Sequence, residues 1–237
     1  MNDDMMNRYD IAGLKVDMDV SGRTLHQAQA YQCPAEGEAD IRLVCDLPRI
    51  MELNPEITDE DVALYLATGA IFAKELLRFD GSFLHSSAVV VGGKAYLFSA
   101  PSGTGKSTHT EKWCRLFGAS YLNDDKPVFR LMGDTWVAYG TPWSGKHDLS
   151  VNTGVPIGGI AILRRGQENK ISPMEPARAL PQILAQSSYR LNRQQMEKQL
   201  SLLDRLLREV PIWDLRCLNN DEAAYVAYHA MTAPVAK

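Results

Sequence analysis

The sequence predicts a mixed α/β (α+β) fold whose sheet is mixed and largely antiparallel, with helices on its faces and a small N-terminal α+β portion. Two turn signals predict this kind of sheet. Gly92-Gly93 joins two apolar strands as a tight hairpin, and Gly133-Asp134 joins two more. A two-residue turn links antiparallel neighbours, whereas a parallel sheet needs a helix between successive strands. The glycine-rich stretch SGTGKST then predicts a loop and a helix directly after the first hairpin.

The composition is that of an ordinary globular protein and excludes several classes of function. The chain has 237 residues, of which 45% are hydrophobic and 23% charged, so it can bury a large core without disulfides. A formal net charge of −4 argues against nucleic acid as a partner. No run of 18 apolar residues predicts a membrane span, and no C-x-x-C pair predicts a zinc site. The stretch MNDDMMNRYD lacks an apolar run, so we expect no signal peptide and a cytoplasmic protein.

Residues 1–79 are the predicted N-terminal portion, and residues 80–237 are the predicted core domain. The N-terminal portion begins as short strands broken by turns, with the clearest alternation over 39–47. A helix then starts with a capping box at Thr58 and ends at Asp80-Gly81. Its apolar residues cover more than one stripe, so we expect it to be buried on several sides.

The core domain continues with a regular series of strands and helices. Seven segments have the alternating or continuously apolar pattern of strands: 83–91, 94–100, 119–123, 127–132, 135–140, 159–165 and 210–218. Four segments carry helical periodicity or helix stop signals: 106–117, 176–187 with an interruption at Pro181, the stripe Met196, Leu200, Leu203 and Leu207, and 221–231. A loop rich in glycine, proline, serine and asparagine is predicted over 140–158.

Residues 100–107, APSGTGKS, fit the phosphate-binding pattern G-x-x-x-x-G-K-[ST] except that Ala100 stands first. Gly103 and Gly105 would let backbone N–H groups turn inward as an anion nest at a helix N-terminus. Lys106 would place its charge against the β- and γ-phosphates, and Ser107 would offer an oxygen to Mg²⁺. The candidate nucleotide-binding residues are Ser102, Gly103, Thr104, Gly105, Lys106, Ser107 and Thr108. The alternative is a glycine- and serine-rich surface turn, but the strand before and the helix after favour a phosphate loop.

Two carboxylates and one histidine are the candidate catalytic residues beside Lys106. Asp124 and Asp125 end the first strand after the loop's helix, which returns the chain to the sheet edge next to the phosphates. Asp124 is the candidate metal ligand together with Ser107, and Asp125 is the candidate acceptor of a hydroxyl proton. The alternative for D-D-K-P is an acidic surface turn. His85, in the strand before the first hairpin, would face the γ-phosphate, although a lone histidine in a strand is more often structural.

These motifs together resemble a known family. SGTGKST with its upstream alanine is similar to the nucleotide loop of phosphoenolpyruvate carboxykinases. The wider arrangement resembles the catalytic domain of the bacterial HPr kinase/phosphorylases, in which an L-H motif, a phosphate loop and a D-D pair follow one another. Here Leu84-His85 is followed by Lys106 twenty-one residues later and then by Asp124-Asp125. The resemblance covers roughly residues 80 to 230.

The resemblance implies a carboxykinase-like P-loop core and a catalytic role for His85. It also implies that Asp124 and Asp125 share the general-base and metal roles in moving phosphate to a serine hydroxyl. Because HPr kinases form oligomers, it admits a homo-oligomer, although no segment identifies an interface. Two departures limit what carries over: Thr108 replaces the family's acidic residue, and its E-[IV]-R-G-x-G signature is missing. Neither phosphorylase activity nor HPr as a substrate is therefore implied.

The sequence thus predicts an ATP- and Mg²⁺-dependent kinase that transfers the γ-phosphoryl group to a serine-type hydroxyl. The acceptor is a peptide, a protein or a small molecule, and the sequence does not distinguish among them. Two alternatives remain open at this stage. A regulatory module would bind the nucleotide without transferring phosphate, and a plain ATPase would release phosphate without any acceptor.

Overall fold

The computed structural model describes residues 7–187 and 189–233, and within these ranges the strands form two sheets. The smaller sheet has three strands: β1 (Asn7–Ile11), β2 (Leu14–Met18) and β3 (Ile41–Leu43). The larger sheet has nine strands: β4 (Gly81–Phe83), β5 (Ser86–Val91), β6 (Lys94–Ser99), β7 (Ser120–Asn123), β8 (Val128–Met132), β9 (Thr135–Tyr139), β10 (Gly154–Arg165), β11 (Lys170–Pro173) and β12 (Ile212–Cys217).

Seven α-helices lie in the described ranges. They are α1 (Gly22–Ala28), α2 (Leu47–Leu53), α3 (Glu60–Leu76), α4 (Lys106–Phe117), α5 (Pro176–Ala185), α6 (Arg193–Glu209) and α7 (Asp221–Thr232). None of the helices in these ranges is long and apolar enough to cross a membrane.

The larger sheet is mixed and mostly antiparallel, as the hairpin signals predicted. Its strand order is β4-β8-β9-β10-β6-β5-β7, with β12 beside β10 and β11 beside β12. Only β6, β10 and β12 run parallel to one another. The β5–β6 turn has positive φ at both Gly92 and Gly93, as a two-residue turn of this type requires.

Alternation along the parallel strands explains why helices cover both faces of the larger sheet. Leu97 and Ile162 face the apolar cluster that contains residues of α5 and α6. Phe98 and Ala161, each one position away, face the cluster that contains residues of α4 and α7. A strand buried on both faces reads as a continuous apolar run, which is the pattern that predicted β10.

The N-terminal portion packs against the larger sheet through α3. Residues of β1, β2, β3 and α3 share one apolar cluster with Phe83, Val128 and Trp143. The helix begins one residue later than the predicted capping box, because Asp59 rather than Thr58 accepts hydrogen bonds from the free N–H groups of the first turn. The expectation of strands and connectors alone before this helix was wrong, since α1 and α2 lie there.

The predicted strand over 83–91 is in fact two strands, and His85 lies between them. Strand β4 pairs with β8, whereas β5 pairs with β6 and β7. At the junction the backbone N–H groups of Leu84 and His85 donate to Pro127 and Gln186, outside any continuous ladder. The placement of His85 within a strand was therefore wrong. The break between the strands directs the His85 side chain toward residues near the ends of other helices and strands.

Three further predictions were wrong in detail. Strand β10 begins at Gly154 rather than 159, because a Gly- and Pro-rich start still pairs with β9, and β11 was not predicted. Helix α5 runs through Pro181 without interruption. The buried residues of α6 are Gln199, Leu202, Leu203, Leu206 and Leu207, so its buried stripe is rotated from the predicted one.

Candidate functional site

The glycine-rich loop lies between the end of β6 and the start of α4, as the motif predicted. Gly103 and Gly105 have φ of +77° and +117°, which favour glycine. Ala100 is not among the described non-glycine residues with positive φ, so its Cβ causes no strain at the first position of the motif. No side chain caps α4, which leaves its N-terminus available to an anion.

Lys106 is folded back across this loop. Its side chain is largely buried, and Nζ donates to the carbonyl oxygen of Ala100 at 2.8 Å. The same Nζ lies 3.1 Å from Nε2 of His85. Burial lowers the pKa of Lys106, while the negative charge of Asp125 opposes that shift. The ammonium group is therefore held beside the loop by short contacts rather than free in solvent.

His85 joins Lys106 to Asp125. Its Nδ1 lies 2.9 Å from Oε1 of Gln186, and its Nε2 lies 3.2 Å from Oδ1 of Asp125. With the proton on Nδ1, the ring donates to Gln186 and Nε2 accepts from Lys106. With a second proton on Nε2, the ring pairs with the carboxylate of Asp125. Nε2 of His85 thus faces both an ammonium and a carboxylate. The contact with Gln186 is not predicted by the sequence, since no local pattern ties this residue to His85.

Asp125 is the more acidic of the two neighbouring carboxyl groups. Burial raises its pKa, but the hydrogen bond from His85 and the charges of Lys126, His85 and Lys106 outweigh burial and lower the pKa below its usual range. Its backbone is fixed by Asn123, whose Oδ1 accepts from the N–H groups of Asp125 and Lys126. The sequence N-D-D-K carries a signal for this turn, because asparagine commonly bonds to the backbone two residues on.

Asp124 faces another segment and shifts in the opposite direction. It is almost fully buried, and its Oδ1 accepts from the backbone N–H of Gly145. Burial raises the pKa of Asp124; the bond from Gly145 lowers it, and the charge of Asp125 raises it further. A Cβ at Gly145 would stand 2.9 Å from Oδ2 of Asp124, so a larger residue at this position would require the carboxylate or the loop to move. Two adjacent carboxyl groups with opposite pKa shifts are suited to different roles.

The segment that bonds Asp124, residues 141–150, is called the site loop here. The carbonyl oxygen of Ser144 accepts from Tyr65 Oη at 2.8 Å, and that carbonyl belongs to the peptide group whose N–H donates to Asp124. Hydrogen bonds along one peptide group strengthen each other. Tyr65 therefore orients the N–H that Asp124 uses.

Helix α1 holds the other side of the site loop. Arg23 donates to the carbonyl oxygen of Gly145 at 2.7 Å and pairs with Asp148 at 3.1 Å. Gln27 donates to Ser144 Oγ at 2.9 Å and to Asp148 Oδ1 at 2.6 Å. These partners lie more than a hundred residues away in the chain, and the sequence does not predict their contacts because no local pattern links them.

Two cavities meet at loop 100–105. The front cavity, about 940 Å³, has His85, Lys106, Asp124 and Asp125 in its wall, opposite the site loop. The rear cavity, about 370 Å³, lies between α4 and the ends of β10 and β12. The candidate residues in the front wall are His85, Ser102, Gly103, Gly105, Lys106, Ser107, Thr108, Asp124 and Asp125. Thr104 lies in the rear wall, and Gly103, Gly105 and Thr108 line both cavities.

The oxygen donors in the front wall are of the kind that Mg²⁺ takes. Mg²⁺ is commonly bound through one or two carboxylates, substrate phosphates and water. Ser107 and Asp124, which carry a hydroxyl and a carboxylate, line the same cavity beside the loop. Among the described residues no group of three or more His, Cys, Asp or Glu side chains is arranged to hold a metal ion. The two oxygen donors alone are fewer than Mg²⁺ needs, so phosphates or water would have to complete its ligands.

No protein-family model matches this chain, and none of the curated proteins matches it. Among solved structures it is similar to the HPr(Ser) kinase/phosphatase from Coxiella burnetii, with 10% sequence identity and a TM-score of 0.38. That match covers 63% of this chain and 95% of the other. A similarity of this size is a distant one in fold and says nothing about the activity of this chain.

Proposed function

We propose that the protein is a kinase that transfers the γ-phosphoryl group of Mg²⁺-bound ATP to a serine-type hydroxyl of a peptide, a protein or a small molecule. The observation that carries this proposal is the cluster at His85 Nε2, where Lys106 Nζ lies at 3.1 Å and Asp125 Oδ1 at 3.2 Å. Three residues from three separate segments converge at the glycine-rich loop, beside the uncapped N-terminus of α4.

Each residue has a distinct part in the proposed reaction. The loop N–H groups, the N-terminus of α4 and Lys106 would bind the phosphates and stabilise negative charge as it develops. Ser107 and Asp124 would hold Mg²⁺ with the nucleotide. The acceptor oxygen attacks the γ-phosphorus, the bond from that phosphorus to the bridging oxygen of ADP breaks, and the hydroxyl proton passes to Asp125.

The lowered pKa of Asp125 is compatible with this role. A carboxylate that stays ionised near neutral pH is always ready to accept a proton, and the loose transition state of phosphoryl transfer needs little help from a strong base. His85 would keep Asp125 oriented and would face the group in transfer. The front cavity extends beyond this cluster to the site loop, which supports room for an acceptor beside the triphosphate.

Asp125→Asn tests the proposal. The substitution keeps the size of the side chain and removes its basicity, so we expect transfer from labelled ATP to a screened acceptor to fall about 10²- to 10⁴-fold. Nucleotide affinity, measured by calorimetry with Mg²⁺, should stay within about threefold of the unmodified protein, because Asp125 is not assigned to phosphate binding. Asp134→Asn, at a fully exposed turn position, is the matched control.

Three results would contradict the proposal in different ways. Acceptor-independent phosphate release that survives Asp125→Asn would make the protein an ATPase. Nucleotide binding without transfer to any acceptor would make it a regulatory module. An unmodified protein that binds no nucleoside triphosphate in the presence of Mg²⁺ would remove the basis for all three functions.

A further inference from the structure

We propose that the rear cavity binds the heterocyclic base of the nucleotide, and that His109 Nδ1–H is the hydrogen-bond donor that recognises an acceptor atom on the edge of that base. This inference rests on the proposed function, because the base is reached from a triphosphate bound at loop 100–105. It assigns a ligand to a cavity and a role to a residue that the phosphate-binding motif does not include.

The contacts of His109 fix which of its ring nitrogens is protonated. The indole Nε1–H of Trp113 donates to His109 Nε2 at 3.2 Å. Indole nitrogen is only a donor, so Nε2 must carry a lone pair, and the neutral ring then has its proton on Nδ1. Rotating the ring by 180° would set a C–H group against the indole N–H, so the opposite assignment loses this bond.

His109 is buried and electrically neutral. The residue is 4% exposed, and burial lowers its pKa to about 3, so the ring carries no charge at any physiological pH. Its Nδ1 has no hydrogen-bond partner among the described residues, yet it is not one of the fully enclosed unpartnered atoms. Because His109 lines the rear cavity, this N–H is open to that cavity. Buried polar groups are normally bonded, so an unpaired donor beside a cavity points to a ligand acceptor.

The rest of the rear cavity suits a flat ring with apolar faces and polar edges. Leu163, Cys217 and Leu218 supply apolar wall, and Lys112 and Asn219 supply a polar rim in which Lys112 Nζ donates to Asn219 Oδ1 at 2.6 Å. Ligand pockets commonly combine apolar walls with a few placed polar groups in a volume of about 300–1,000 Å³. The rear cavity, at about 370 Å³, lies at the lower end of that range.

Its place in the sheet also agrees with this occupant. Strands β6, β10 and β12 are parallel, and the loop, Gly166 and Asn219 all follow their carboxyl ends. Ligands of open α/β sheets bind at this edge. Gly103, Gly105 and Thr108 separate the rear cavity from the front cavity. A nucleotide lying across them would have its γ-phosphate beside Asp125 and its base beside His109.

The test compares ATP and GTP with inorganic tripolyphosphate, which has the phosphates but no base. Affinities are measured by calorimetry with Mg²⁺ on the full chain. We expect His109→Phe, which keeps the aromatic packing, to weaken the preferred nucleoside triphosphate about three- to tenfold, the effect of one lost hydrogen bond. Tripolyphosphate affinity should not change. His229→Phe, at an exposed position on α7, is the matched control.

A second measurement needs no substitution. In protein with ¹⁵N-labelled histidine, His109 should show a protonated Nδ1 whose resonance shifts when ATP or GTP is added but not when tripolyphosphate is added. Equal affinity for tripolyphosphate and both nucleotides, or a nucleotide-independent Nδ1 resonance, would overturn the base assignment while leaving phosphate binding intact. Failure of all three ligands to bind would instead overturn the proposed function and this inference with it.

Discussion

His85 and His109 lie on opposite sides of loop 100–105 and have contrasting environments. His85 is partly exposed and contacts a lysine, a carboxylate and an amide through its two ring nitrogens. His109 is buried between aromatic rings, and among the described residues its ring bonds only to Trp113. The first environment suits proton and charge chemistry, and the second suits recognition by one fixed donor. Under the two proposals, the loop thus separates a reactive side from a recognition side.

Lys106→Met should have the largest effect of the substitutions that test this separation, and the effect should appear in the transfer rate. The substitution keeps the aliphatic stem and removes the charge nearest the phosphates, so we expect the single-turnover transfer rate to fall about 10²- to 10³-fold. If the two sides are separate, the ratio of ATP to GTP affinity should be unchanged. Lys94→Met, on the exposed start of β6, controls for loss of a surface charge. A changed nucleotide preference would contradict the separation.

Gly145→Ala should have an intermediate effect confined to the front side. The new methyl group would stand 2.9 Å from Asp124 Oδ2, so the carboxylate or the site loop must move. We expect transfer to fall about ten- to hundredfold, because small displacements of catalytic groups are costly. Tripolyphosphate affinity in the absence of Mg²⁺ should stay the same. Gly159→Ala, where the nearest atom would be 3.4 Å away, is the matched control and should leave transfer unaltered.

Tyr65→Phe should have the smallest effect and should appear mainly as a change in pH dependence. The ring whose centroid lies 4.6 Å from Lys126 Nζ is kept, and only the hydroxyl bonded to Ser144 is lost. A less polarised peptide N–H stabilises the Asp124 carboxylate less, so its pKa, already raised by burial, should rise further. The acid limb of the transfer rate should therefore move to higher pH, with the plateau lowered by less than about threefold.

Tyr225→Phe, on the exposed face of α7, is the control for Tyr65→Phe. The pKa of Asp124 can be followed directly by carbon NMR of its carboxyl group in the protein without nucleotide. A Tyr65→Phe protein with an unshifted Asp124 resonance and an unshifted acid limb would show that the Ser144 peptide does not act on Asp124.

Local signals in the sequence predicted the parts of the site that are built from contiguous residues. The G-K-S motif and its flanking strand and helix are a single stretch of chain, and Gly118 ends α4 as expected. The short spacing from loop to Asp124 and Asp125 fixed their position because only one helix and one strand intervene. The convergence of these residues at one cavity agrees with that expectation, whereas their catalytic roles stay predictions.

The remaining parts depend on partners far away in the chain, which no local pattern encodes. His85 leaves the strand because Gln186 and Pro127 draw backbone bonds at the junction. Arg23 and Gln27 meet the site loop only after the N-terminal portion has packed on the core. Trp113, one turn away, determines which nitrogen of His109 is the unpaired donor. In the sequence, this spacing indicates only ordinary packing on one face of a helix.

The bonds from α1 and Tyr65 to the site loop have a consequence for how such proteins diverge. The wall that would face an acceptor is held by the N-terminal portion, whereas loop 100–105 is built wholly within the core. Substitutions in α1 can therefore reshape the mouth of the front cavity without touching loop 100–105. Under the proposed function, such substitutions would change the preference for an acceptor and leave the phosphate-binding residues in place.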